Sequence, residues 1–318
     1  MLDVMVYEVF SEEESALKKF LPQKIKARFT SKTIQAAGAK EPPAVLISVR
    51  TQSKIPAAWT KKLKGILTRS TGYDHLVAYR KQIACGYLGD YCARAVGEQA
   101  VLVAAALLRK LKKQIRNFDT FNRDHITGYE SQGRRLLVVG VGNIGQEIVD
   151  VGRGLKMEVK GVDIKRRFRH LNYVSLEKGL AWADVAICAL PLTGKTRGLL
   201  NYVTLKKAKP GLVFVNVSRG EVSPMRDLAR LLKEGTLGGL GLDVFEEESE
   251  AARSLQENKR PFRQAVRAIL FLKDQDDVIF TPHNAFNTHE SVERKSRLSA
   301  ESIRIFLAKQ RFPFPLPQ

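Results

Sequence analysis

Leu136-Leu137-Val138-Val139-Gly140-Val141-Gly142-Asn143-Ile144-Gly145, followed by Asp163 18 residues past its last glycine, decides the fold of this chain. Four apolar residues after Gly133-Arg134-Arg135 predict a short buried strand. It runs straight into Gly-x-Gly-x-x-Gly, and Gln146 to Gly152 reads as the start of a helix. In this arrangement Gly140 allows a tight turn, Gly142 admits a close approach of backbone to phosphate, and Gly145 lets helix and strand pack closely. The helix N-terminus offers N–H groups and a partial positive charge to an anion. A second strand, Glu158 to Asp163, ends in a carboxylate able to accept hydrogen bonds from ribose hydroxyls and to repel a 2′-phosphate. The prediction is a dinucleotide site, with NAD as cofactor. Lys165, Arg166 and Arg167 follow directly. They read as a solvated basic loop, and as the groups that would leave NADP open.

Working outward, the 318 residues suffice for two domains. A hydrophobic fraction of 44% is that of a globular protein, and no apolar run reaches membrane-spanning length. Met1 to Tyr7 lacks the basic-then-apolar order of a signal peptide and reads as a first strand. Cys85, Cys92 and Cys188 are odd in number and lack metal-ligand spacing. Reduced thiols in a cytoplasm are expected, with no metal. The net charge is +20, yet the basic clusters at Lys61, Arg109, Lys165 and Lys206 are scattered and joined to no aromatic-rich nucleic-acid motif. Solvated surface charge is the reading, and a nucleic-acid partner is not expected.

Before the glycine turn, candidate strands at Val4–Val9, Ala44–Val49, Gly65–Thr68 and Gln82–Cys85 alternate with polar helical stretches, predicting a separate α/β domain. From Ala95 to Ile115 the pattern is one long helix. It is apolar around most of its first half, as in a core helix or one at a dimer interface. After Asp163, buried parallel strands are expected at Asp184–Leu190, Leu212–Val217, Leu240–Val244 and Asp277–Phe280. A doubly wound sheet of this kind binds its ligand at the carboxyl ends of its strands. Three of those ends are followed by Ser218-Arg219-Gly220, by Phe245-Glu246-Glu247-Glu248, and by Thr281-Pro282-His283-Asn284. An arginine can grip a carboxylate with a two-pronged fork. An imidazole paired with an acid is held in one tautomer and suits proton donation to a carbonyl oxygen. Which of the three adjacent acids pairs with His283 stays open on the residues alone.

The chain resembles the D-isomer-specific 2-hydroxyacid dehydrogenases over nearly its whole length. Besides the glycine turn, the matching segments are Leu67 to His75, Tyr91 to Gln99, Ala189-Leu190-Pro191-Leu192-Thr193, Lys209 through Gly220, Gly241 to Phe245, and Thr281 to Thr288. The resemblance implies two doubly wound, parallel-sheet Rossmann-like α/β domains. The substrate-binding domain would be flavodoxin-like, made of residues 1–94 and 286–318, and the NAD-binding domain would be residues 95–285. It implies a homodimer and an oxidoreductase moving a hydride between NADH and a small 2-keto acid. The implied catalytic residues are Arg219, Glu248 and His283. Cofactor contacts fall to Gly140, Gly142, Asn143, Ile144, Gly145, Asp163, Pro191, Ser218 and Asp243, and substrate contacts to Thr71, Gly72, Tyr91, Arg219 and Phe286. Ser249 stands where many members have proline, and Gly97 where alanine is usual. Ser249, the long segment from Glu248 to His283, and the Ala285-Phe286 pair look like the D-lactate dehydrogenase branch. The alternatives are a dinucleotide-sensing corepressor of the same fold, or a dehydrogenase of another small anion such as phosphite, formate or a sugar-acid phosphate.

Overall fold

The computed structural model describes residues 2–257 and 263–317. Met1 and Gln318, the outer ends of the expected domain ranges, lie outside the described residues. The chain divides into two compact units, Met1–Cys92 with Asn287–Gln318, and Ala93–Phe286.

The first unit runs β1 (Leu2–Val6), α1 (Ser11–Phe20), β2 (Ala27–Phe29), α2 (Ile34–Ala37), β3 (Ala44–Val49), β4 (Gly65–Thr68) and β5 (Ala84–Gly86). Among the described residues these make a parallel five-stranded sheet in the order β2-β1-β3-β4-β5, the flavodoxin-like order. β2 is too short and too polar to have announced itself. β1 ends before the expected Val9, because Glu8 adopts a left-handed φ of 56°. Its carboxylate then accepts the backbone N–H groups of Arg50, Gln52 and Ser53, which fixes the loop after β3. The last strand begins later than expected, at Ala84.

The second unit runs α3 (Ala93–Leu108), α4 (Leu111–Asn117), β6 (Arg135–Val139), α5 (Asn143–Gly154), β7 (Glu158–Val162), β8 (Asn172–Tyr173), α6 (Leu176–Trp182), β9 (Val185–Cys188), α7 (Tyr202–Leu205), β10 (Leu212–Asn216), α8 (Met225–Lys233), β11 (Leu237–Leu242), α9 (Glu248–Glu257), α10 (Gln264–Leu272) and β12 (Val278–Phe280). Its sheet is parallel, ordered β12-β11-β10-β9-β6-β7-β8 among the described residues. β6, β9 and β10 are buried over most of their length, as continuous apolar runs require when helices cover both faces. The expected doubly wound α/β class is present in both units.

The single helix expected from Ala95 to Ile115 is two helices. Lys110 takes a left-handed φ of 52° and bonds back to Leu107, closing α3 with a tight turn. The freed carbonyl of Leu108 accepts Tyr129 N–H instead, and Gly128 sits so close that a Cβ there would fall 2.5 Å from that oxygen. α4 is then pinned by Lys112, whose ammonium meets the carbonyls of Lys273, Gln275 and Val278. Gly97, where a Cβ would lie 2.7 Å from Glu147 Cβ, lets α3 lie close on α5.

The first unit is completed by α11 (His289–Lys309), capped by Thr288 Oγ1 on Ser291 N–H. Its buried face holds the small Ser291, Ser296, Ser299 and Ser302 with Lys295, Ile303 and Phe306, and the helix packs on α1 and, through Phe306, on Gly65 of β4. The proline-rich end is ordered. Phe312 stacks on Phe306 at 4.3 Å, and Leu316 N–H bonds the Cys85 carbonyl at the sheet edge.

Candidate active site

The glycine turn has the geometry its spacing predicts. Gly140 adopts φ 93°, a conformation that L side chains rarely take, and a Cβ there would lie 2.8 Å from Ala189 carbonyl carbon. A Cβ on Gly145 would fall 2.0 Å from the Gly140 carbonyl oxygen. Gly142 differs: no described atom lies within 4 Å of where its Cβ would sit, so the backbone there is open to a close visitor. Asn143 and Ile144 open α5, and no side chain caps its N-terminus. Asp163 follows β7, its Oδ2 accepting Val141 N–H and its Oδ1 accepting Lys165 N–H, both at 2.7 Å. Both bonds orient the carboxylate while leaving lone pairs for ribose hydroxyls. A dinucleotide fits this turn: its pyrophosphate would lie at the α5 N-terminus and its ribose at Asp163. Arg166 and Arg167 are exposed nearby in sequence.

Ser218 and Arg219 follow β10, and their turn is organised by Asn216. This fully buried amide donates to the Arg219 carbonyl at 2.9 Å and to Ser223 Oγ at 2.8 Å, and accepts from Ser218 N–H and Oγ. Ser218 Oγ also lies 3.3 Å from Cys188 Sγ at the end of β9, whose thiol burial pushes up in pKa. Arg219 is half-buried, and one guanidinium nitrogen bonds the Ser218 carbonyl at 2.8 Å. This bond ties the planar fork to its own turn. Pro191, after β9, is exposed and accepts Thr196 Oγ1 on its carbonyl.

The acids separate cleanly. His283 Nδ1 lies 2.9 and 3.0 Å from the two oxygens of Glu248, with side chains 24% and 25% exposed. Glu246 turns to Met225 N–H instead, and Glu247 is exposed. With Nδ1 facing the carboxylate, Nε2 is the nitrogen left for a substrate. His283 itself has a left-handed φ of 52°, its N–H bonding the Thr281 carbonyl. That conformation costs a non-glycine residue about 1–2 kcal/mol and has to be imposed by its surroundings. Asp243 imposes it. This buried carboxylate accepts Thr281 Oγ1 at 2.5 Å, Asn284 N–H at 2.8 Å and Ala285 N–H at 3.0 Å, clamping the loop on both sides of the histidine. Burial raises its pKa against those three bonds. Phe286, just beyond, is buried.

In the first unit, Thr71 and Gly72 follow β4. Thr71 Oγ1 donates to the Gly89 carbonyl at 3.2 Å, and Ser70 Oγ donates to the Gly72 carbonyl at 2.6 Å. Tyr91 is buried, which pushes its phenol well up in pKa, and its carbonyl accepts Arg294 Nε at 2.8 Å.

Sequence reasoning missed Asn216 and the parts that Gly220 and Glu246 play. Asn216 had a signal, as the one amide closing an apolar strand. Gly220 and Glu246 had none, because what matters in both is a contact with a distant loop.

Comparisons with known proteins bear on the family and the fold. Residues 99–285 match the profile described as D-isomer specific 2-hydroxyacid dehydrogenase, NAD binding domain. A glyoxylate reductase of Pyrococcus furiosus is 29% identical over 262 residues, covering 77% of this chain and 73% of that protein. A D-specific alpha-keto acid dehydrogenase of Enterococcus faecium is 27% identical over 303 residues, 92% of each chain. Among solved structures, the D-lactate dehydrogenase of Aquifex aeolicus, complexed with NAD and lactic acid, superposes with a TM-score of 0.85 at 28% identity, covering 99% of this chain and 100% of that one.

Proposed function

From the chain's membership of the D-isomer specific 2-hydroxyacid dehydrogenase family, and hence its standing as an NAD-dependent oxidoreductase, we propose that it interconverts a small, pyruvate-like 2-keto acid and the D-2-hydroxy acid. The observation that carries this reading is the Glu248–His283 contact at 2.9 Å on the loop that Asp243 clamps.

NADH, when bound at the glycine turn, supplies the hydride. Arg219 grips the substrate carboxylate and polarises the keto oxygen. His283 gives that oxygen a proton from Nε2 while Glu248 holds the ring and stabilises its charged form. In the reverse direction the same imidazole takes the proton back. Thr71, Gly72, Tyr91 and Phe286 are assigned to substrate binding on the family resemblance. Asn143, Ile144, Pro191, Ser218 and Asp243 join the glycines and Asp163 in holding the cofactor.

We assign the protein to the cytoplasm as a homodimer. Among the described residues no helix is long and apolar enough to cross a membrane. Ile115, Phe118, Phe121 and Tyr129 are 58–75% exposed within one stretch of the second unit, and a second copy of the chain is the occupant that would cover them. Light scattering at micromolar concentration would return twice the 35.6 kDa chain mass; a monomer would refute this.

His283→Ala should lower kcat for NADH-dependent reduction by about 10²–10⁴-fold while NADH binding is retained. Normal turnover in that variant would sink the mechanism. A panel of 2-keto acids, with NADH and NADPH in parallel, identifies the substrate. Salt-sensitive DNA binding with no turnover of any of them would instead favour a corepressor.

A further inference from the structure

The run Glu246-Glu247-Glu248 serves two partners on either side of one chain reversal. Glu247 adopts a left-handed φ of 55°, which turns its neighbours apart. Glu248 goes to His283, and Glu246 Oε2 accepts Met225 N–H at 2.7 Å. Met225 opens α8, whose cap position is Pro224, a residue with no side-chain acceptor. A helix start normally takes its acceptor from its own cap residue. Here the acceptor comes from 21 residues away, on the loop after β11.

Two further contacts hold the same loop. Phe245 meets Phe280 edge-on at 5.2 Å. A Cβ on Gly220 would lie 2.0 Å from Phe245 carbonyl carbon and 2.2 Å from Glu246 N, so the turn carrying Arg219 packs backbone against backbone on the acid loop. The loop is thus tied to α8, to β12 and to the Arg219 turn.

We propose that Glu246 is a positioning residue, which fixes the direction of Glu248 toward His283 by capping α8 across the loop. The inference rests on the acid–base reading of that pair given above. A plain helix cap is worth about 1 kcal/mol and would explain the Met225 contact by itself. What exceeds it is the lever: a single residue, Glu247, separates Glu246 from Glu248, and it holds a strained conformation. Releasing Glu246 lets Glu247 relax toward ordinary backbone and carries Glu248 off the imidazole. Burial, with Glu221, Asp227 and Glu247 nearby, disfavours charge at Glu246, so the contact is kept against an electrostatic cost.

The test is a double-mutant cycle on kcat for NADH-dependent 2-keto acid reduction, with NADH affinity and Tm measured alongside. Glu246→Ala should lower kcat about tenfold or more and leave NADH affinity unchanged. Glu246→Gln, whose amide oxygen still accepts Met225 N–H, should recover most of the rate and guards against a folding defect. In a Glu248→Ala background, Glu246→Ala should cost no further rate, since both act through one pair. Multiplying effects, or a lowered Tm with normal kcat, would overturn the inference. A wild-type protein that reduces no 2-keto acid would overturn the reading of the site and this inference with it; a wild-type rate shared by Glu246→Ala overturns the inference alone.

Discussion

Each unit holds a carboxylate against a base beside the carboxyl end of a parallel sheet, and the two clusters differ in one respect above all. In the first unit, Glu13 of α1 meets Arg69 Nε at 2.9 Å and Lys295 Nζ of α11 at 2.6 Å, and all three side chains are fully buried. Arg69 also bonds Ser48 Oγ and the Tyr7 carbonyl. In the second unit, Glu248 and His283 keep a quarter of their surface in solvent. Burial raises the Glu13 carboxyl, but Arg69 and Lys295 outweigh it and hold it at about 2, while burial and the nearby arginines bring the Lys295 amine down to about 7. Sealed charges of this kind meet no reactant and serve to fix α1, β4 and α11 together. The same chemistry left a quarter open can exchange a proton with a ligand. Access, more than residue type, divides structure from reaction.

The comparison breaks most sharply at Glu13. Glu13→Ala leaves two cations buried and should cost about 3–5 kcal/mol of stability, read by urea unfolding. Glu248→Ala should cost under about 1 kcal/mol by the same measurement while kcat collapses. Equal stability losses would erase the distinction. A smaller effect is expected at Lys295. Its folded pKa of about 7 lies below the ordinary 10.5, so the unfolded chain binds a proton that the folded chain refuses between those values. Stability from this group therefore rises with pH from about 7 to 10.5. Lys295→Met should flatten that slope and raise Tm at neutral pH, since Glu13 keeps Arg69; an unchanged slope would contradict the assignment. Glu13 works in the opposite range, its contribution present above 4.5 and lost as pH falls toward about 2. Smallest of all, Arg94→Ala removes solvent-screened pairs with Glu98 and Glu147 and should change stability by no more than about 1 kcal/mol.

How far the sequence could be read follows from the range of each interaction. The glycine turn, the buried strands β6, β9 and β10, and the position of His283 after β12 are local patterns, written in consecutive residues. The break at Lys110 was hidden, because lysine is a good helix former and the carbonyl freed at Leu108 is taken by Tyr129, distant in sequence. The strands β2 and β8, three and two residues long, carry no period to detect. Among three adjacent glutamates, residue type says nothing about which meets His283; the left-handed Glu247 decides it. The sealed cluster was invisible for a related reason. Glu13 sits in an acidic run and Lys295 in a basic one, each indistinguishable by composition from solvated surface.

The three glycines of the opening turn answer to different masters. Gly140 and Gly145 are demanded by the chain, since a methyl group at either would strike backbone. At position 142 no described atom stands in the way of a methyl group. A descendant of this fold that gave up its cofactor could vary that residue at once and would still have to inherit the other two. The motif therefore records two histories, one of folding and one of use, and position 142 is where they would first part.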